Sequence, residues 1–216
     1  MKRPLYTLII AAAALIAFTY IAQADDTGFL SPDTATVDDS IGTTDWFLTD
    51  NILASDDFRA FSGTGASTCT NTVTDVRLVV AGSIAGDDRA GNEAFNTLDT
   101  TVALGGAADL WGVSLSPDDV NATDFGYGVS FTGQSATSKY IVATGFDLAI
   151  PTNATIDGVE VSFEGGCSSA SVRMDYMSLK VYYTETAATP DTPTTQMQIR
   201  NGNINVNNGS VIIRPI

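Results

Sequence analysis

The sequence predicts an all-β protein: a jelly-roll-like antiparallel β-sandwich with a short C-terminal β-hairpin or meander tail. Three observations carry this. Several segments alternate apolar and polar residues with period two, Gly, Asn, Asp and Pro punctuate them, and only one short stretch has helix-start chemistry. The longest alternating run is Ser171 to Tyr183, and Ile156 to Phe163 alternates strictly. Phe125 to Phe131 alternates large and small residues, Asp75 to Gly82 is an apolar strand ending in glycine, and Lys139 to Phe146 reads as another strand. The exception is Ser116-Pro117-Asp118-Asp119-Val120, with Ser116 as helix N-cap and Pro117 in the first turn.

The chain divides into five parts. Residues 1–24 read as a secretion signal: Lys2 and Arg3, an apolar stretch from Leu5 to Ala22, then Ala22-Gln23-Ala24 as a small-x-small cleavage site. The alternative is an uncleaved anchor, which the run is just long enough to be. Residues 25–45 form an Asp/Thr/Ser-rich lead-in, loosely ordered or paired at a sheet edge. Residues 46–184 are the sandwich, and 185–195 a Thr/Pro linker without bulky apolar residues. Residues 196–216 carry a seven-residue repeat: Arg200-Asn201-Gly202-Asn203-Ile204-Asn205-Val206, then Asn207-Asn208-Gly209-Ser210-Val211-Ile212-Ile213. Each septet holds an Asn-Gly pair, the preferred hairpin turn, ahead of apolar residues.

Composition excludes several functions. The chain has 25 acidic against 10 basic residues, so phosphate backbones are repelled and nucleic acid is not an expected partner. Histidine is absent, which removes imidazole-based nucleophile activation and most zinc sites. Cys69 and Cys167 are the two cysteines. In an exported chain an even count predicts a disulfide, here worth about 4–5 kcal/mol by the chain-entropy argument. After signal cleavage no membrane association is expected.

Five Asp-Asp pairs stand out, at Asp25/Asp26, Asp38/Asp39, Asp56/Asp57, Asp87/Asp88 and Asp118/Asp119. No cofactor is required, and calcium is the candidate cation, because loop carboxylates and carbonyls suit hard ions. Asp56 and Asp57, joined by Asp175 if the last strand lies alongside, are the candidate ligands; solvated turns are the alternative. Carboxylate pairs also serve glycoside hydrolysis, but acids in the loops of an acidic protein need no such role. Trp46, Trp111, Tyr127, Tyr140, Tyr182 and Tyr183 make either a sugar-stacking platform or core. In the tail, Met197, Ile199, Ile204, Val206, Val211 and Ile213 are too apolar for a disordered terminus and are the expected assembly residues.

Asp109-Leu110-Trp111-Gly112, Asn121-Ala122-Thr123-Asp124-Phe125-Gly126, Ala143-Thr144-Gly145-Phe146, Ile150-Pro151, Gly158-Val159-Glu160-Val161 and Val181-Tyr182-Tyr183-Thr184, with Ala54-Ser55-Asp56-Asp57, resemble a group of secreted bacterial and phage-associated β-sandwich surface modules. The likeness runs from about Asn51 to Thr184, and here the A-T-G-F and G-V-E-V blocks follow D-L-W-G instead of preceding it. The resemblance implies a structural or adhesive module without catalytic residues. The expectation is therefore a secreted, non-enzymatic structural or adhesive surface protein, a filament-like subunit that self-associates or joins another surface protein through its tail. A carbohydrate-binding module taking glycans is the second reading and a hydrolase the third.

Overall fold

A computed structural model describes residues 23–64, 69, 71–168, 171–186, 196–200 and 203–207. The strands in chain order are β1 (Gln23–Asp26), β2 (Thr34–Asp38), β3 (Trp46–Phe47), β4 (Ala60–Ser62), β5 (Asn71–Val80), β6 (Ser83–Ala85), β7 (Ala94–Phe95), β8 (Thr100–Gly105), β9 (Gly126–Thr132), β10 (Tyr140–Thr144), β11 (Ala154–Ser168), β12 (Ser171–Glu185), β13 (Gln196–Arg200) and β14 (Asn203–Asn207). A 3-10 turn spans Thr49–Ile52, and α1 spans Pro117–Val120. The Ser116 cap forms as the sequence predicts: its hydroxyl accepts from Asp119 N, and the Asp119 carboxylate accepts from Ser116 N, closing a capping box.

Two antiparallel six-stranded sheets make the sandwich. One runs β3-β4-β12-β11-β8, with β1 also on β12; the other runs β2-β10-β9-β5-β6, with β7 on β5. The long runs become its centre: β11 and β12 turn their apolar residues against the opposite sheet, and β9 is buried from Gly126 to Phe131. β11 turns Val159, Val161 and Phe163 inward, and β9 opposes them with Tyr127, Val129 and Phe131, all fully buried. Phe95, Phe131 and Phe163 pack ring against ring at 5.2–6.4 Å, and Trp46 meets Phe131 edge-on at 5.9 Å.

The stretch 25–45 is paired rather than loose. β1 lies along the end of β12, from Gln23 opposite Glu185 to Asp26 opposite Tyr182, and β2 lies along β10. The compact unit accordingly runs from Gln23 to Thr186 and includes the lead-in set apart in the sequence reading. The strand β1 also overlaps the last two residues of the expected signal, Gln23 and Ala24. The remainder of that signal and the linker residues 187–195 lie outside the described residues.

Cys69 and Cys167 are bonded, with Cα atoms 5.5 Å apart across a sequence separation of 98. In the tail β13 and β14 pair antiparallel across a two-residue connection, Met197 opposite Val206 and Ile199 opposite Ile204. Val211 and Ile213 lie outside the described residues.

Candidate functional site

Polar atoms buried without a partner mark the place where this sandwich departs from a simple packed core. Among the described residues they are Arg59 Nε, Ser62 Oγ, Asn71 Nδ2, Arg173 Nε and Asp175 Oδ1. All but Asn71 belong to the crossing of β4 on β12, where Ser62 faces Val172, Phe61 faces Arg173 and Ala60 faces Met174. Buried polar groups are nearly always satisfied, so such a cluster calls for an explanation.

Asp175 has a specific origin. On β12 the register against β11 passes from Met174, opposite Gly165, to Tyr176, opposite Glu164, leaving Asp175 as the extra residue of a β-bulge. The side chain is 3% exposed. Burial drives its carboxyl above the ordinary aspartate range; the neighbouring Arg59 pulls it down, and Glu164, Asp57 and Asp99 push it up again.

Arg59 sits among these acids. Its Nη2 meets Asp99 Oδ2 at 2.5 Å and Asp57 Oδ1 at 3.4 Å, and its Nη1 donates to the Asp57 carbonyl at 3.2 Å. The hydrogen bond to Asp99 leads the interactions that hold its guanidinium protonated. The 96–99 segment reaches this place because β11 has no side chain at Gly166, where a Cβ would lie 3.0 Å from both Asp99 Oδ1 and the Leu98 carbonyl.

An apolar rim borders the charges. Phe47 and Phe61 face each other across β3 and β4 and stack with centroids 5.4 Å apart. Leu48 follows Phe47 in the chain, Phe58 lies three residues before Phe61, and Leu98 precedes Asp99, the ion-pair partner of Arg59; these three are the most exposed large apolar residues described, at 63%, 67% and 74%.

The predicted site residues are therefore partly brought together. Asp57 and Asp175 share one electrostatic neighbourhood, as the calcium reading required, but the cation between them is Arg59. Asp56 turns away, its carboxylate accepting from Phe58 N at 3.1 Å. Among the described residues no group of three or more His, Cys, Asp or Glu is placed to hold a metal ion. Of the proposed sugar-stacking aromatics, Trp46, Trp111, Tyr127 and Tyr140 are core, at 5% exposure or less. Tyr182 and Tyr183 are half-buried; Tyr182 donates to Glu160 Oε2 at 2.5 Å. Sequence reasoning missed Phe47, Phe58 and Phe61. The adjacency of Trp46 and Phe47 was a usable signal, since two neighbours on a strand point to opposite faces.

No protein-family profile, curated protein or solved structure matches the chain.

Proposed function

We propose that the protein is a secreted, non-catalytic structural or adhesive subunit that assembles outside the cell through its C-terminal β-hairpin. The observation that carries this reading is the pairing of β13 with β14. Its register pairs Met197 with Val206 and Ile199 with Ile204, between the polar pairs Gln196 with Asn207, Gln198 with Asn205 and Arg200 with Asn203. A two-stranded hairpin is marginal alone in water, and one whose paired strands carry apolar residues at every second position needs a surface to cover it. The signal-like leader, the Cys69–Cys167 disulfide and the acidic surface suit an oxidising exterior. Two of the sheet edges are short, β3 with two residues and β6 with three, which suits a body that is displayed.

The test compares the mature chain from Asp25 with the same chain ended after Thr186. Light scattering over a concentration series should give oligomers for the first and a monomer for the second. Identical masses at every concentration would remove the assembly role. Mass analysis of exported protein should find Asp25 at the N-terminus; a retained Met1 would contradict secretion by cleavage.

A further inference from the structure

We propose that Asn153 is a glycosylation site, its side-chain amide taking an oligosaccharide from an activated, lipid-linked donor while the chain is exported. The inference rests on the secretion reading above and adds a covalent modification to it.

The acceptor pattern Asn-x-Ser/Thr occurs at Asn121-Ala122-Thr123, Asn153-Ala154-Thr155 and Asn208-Gly209-Ser210. The third lies outside the described residues, and the fold separates the other two. Asn153 is at the tip of a β-turn: Ala154 N donates to the Pro151 carbonyl at 3.0 Å, leaving Thr152 and Asn153 as the central residues. β11 starts at Ala154, which is buried, while Asn153 and Thr155 on either side of it are exposed. The amide and the hydroxyl that define the pattern are thus both at the surface. Asn153 Nδ2 donates to the Thr186 carbonyl at 2.9 Å. An amide nitrogen carries two hydrogens; a sugar replaces one, and the one that remains is enough for a bond of this kind.

Asn121 is committed elsewhere. It caps the end of α1, and its side chain grips one residue at two points: Nδ2 donates to the Ile150 carbonyl at 2.8 Å, and Oδ1 accepts from Ile150 N at 3.0 Å. Such a two-point contact uses the amide edge that holds Oδ1 and the hydrogen beside it. A glycosyl group takes that same place, because the planar trans form of a secondary amide sets the nitrogen's substituent on the side of the oxygen. A sugar on Asn121 would remove the hydrogen that holds Ile150 and set its first ring against that backbone. At Asn153 the transfer balances within its own reactants. The bond from Nδ2 to the anomeric carbon forms, the bond from that carbon to the donor's phosphate oxygen breaks, one amide proton passes to a base of the transferring enzyme, and the lipid phosphate leaves as an anion. The product sets a bulky, hydrated group where the chain enters and leaves the sandwich, since Asn153 is bonded to Thr186, and Gln23 and Ala154 both lie opposite Glu185.

The experiment is mass analysis of the full chain as its native cells export it. After reduction, trypsin cutting at Arg89, Lys139 and Arg173 puts Asn121 on the peptide 90–139 and Asn153 on the peptide 140–173. The second peptide should carry a saccharide mass that fragmentation places on Asn153, and the first should be bare. Thr155→Ala should abolish the addition with Asn153 still in place, and Thr155→Ser should keep it. A bare Asn153 on chains that begin at Asp25 would overturn this inference and leave the secretion reading standing. A bare Asn153 on chains that retain Met1 would overturn both. Saccharide on Asn121 in place of Asn153, or an addition that survives Thr155→Ala, would also overturn it.

Discussion

Trp111 and Val159 are joined in both directions: the Trp111 indole N–H donates to the Val159 carbonyl at 2.9 Å, and Val159 N donates at 2.9 Å to the carbonyl of Asp109, two residues before the tryptophan. The Asp109 carboxylate is in turn held by Arg89 through Nε and Nη2, each at 2.8 Å, and accepts from Trp111 N. Trp111 is fully buried and left-handed, with φ of 56°, and Gly105 makes room for it, since a Cβ there would stand 2.8 Å from the indole nitrogen. The D-L-W-G and G-V-E-V blocks are thus two halves of one clasp that fastens a loop to β11. Their role in this chain is architectural.

Trp111→Phe keeps most of the packing and removes one of two donors to the Val159 carbonyl, which still accepts from Gly106 N at 3.0 Å. The expected loss is about 0.5–1.5 kcal/mol, against about 3–5 kcal/mol for Trp111→Ala, both read by urea denaturation. Equal stability of the phenylalanine variant and the parent would mean the indole bond contributes nothing.

Asp175 gives a pH prediction with a definite sign. Its folded pKa lies above its unfolded one, so between the two the folded state binds more protons and stability falls as pH rises. At neutral pH the buried carboxylate is a net cost. Asp175→Asn should therefore raise the melting temperature at pH 7 by about 2–4 °C, the equivalent of ~1 kcal/mol in a domain this size, and the gain should fade toward pH 4. A lower melting temperature at pH 7 would show that attraction to Arg59 outweighs burial. Asp109, lowered chiefly by its hydrogen bond from Arg89, behaves in the opposite sense: its contribution is present above the usual aspartate pKa and is lost on acidification through its own.

The Cys69–Cys167 bond closes a loop across a sequence separation of 98. Replacing both cysteines by serine should cost about 2–5 kcal/mol, seen as a lower urea midpoint than that of the oxidised parent. A midpoint that reductant and double substitution both leave unmoved would count against a stabilising bond.

Because Arg59 already supplies the positive charge among Asp57, Asp99 and Asp175, chelation should shift the melting curve of the parent by less than about 1 °C. A clear drop that added calcium reverses, and that Asp57→Ala abolishes, would place a calcium ion there.

Salt should favour assembly. Raising ionic strength from about 0.01 to 0.15 M shortens the Debye length from about 30 to 8 Å, muting repulsion between acidic sandwiches while leaving apolar contact in place. Sedimentation should show larger particles at higher salt; smaller ones would point to association by charge attraction instead.

The parts of the fold that could be read from the sequence are those that carry their own pattern. β11 and β12 alternate apolar and polar residues because each has one face on the core; β9 and β10 are buried on both faces and show instead as a large–small alternation and a continuous apolar run, and the Ser116 cap is local chemistry. β3, β4, β6 and β7, two or three residues each, have no period to show; their strand character comes from the neighbour they pair with. The bulge at Asp175 left a trace that went unread. The inward apolar residues of β12 are even-numbered at Val172 and Met174 and odd-numbered at Met177, Leu179 and Val181, a change of parity that one inserted residue produces. What placed Arg59 beside it was tertiary: the 57–59 and 96–99 segments meet over β11 only after both sheets are assembled.

The position of β1 has a temporal consequence. Asp25 pairs with Tyr183 and Asp26 with Tyr182, so the first strand of the sandwich is completed by the last. At a synthesis rate of about 5–20 residues per second, its partner is made on the order of ten seconds or more after it. Throughout that interval β1 lacks its partner, and the long-range pairing of the sheet cannot close early. A polypeptide built this way stays unfinished until its β12 residues have been made.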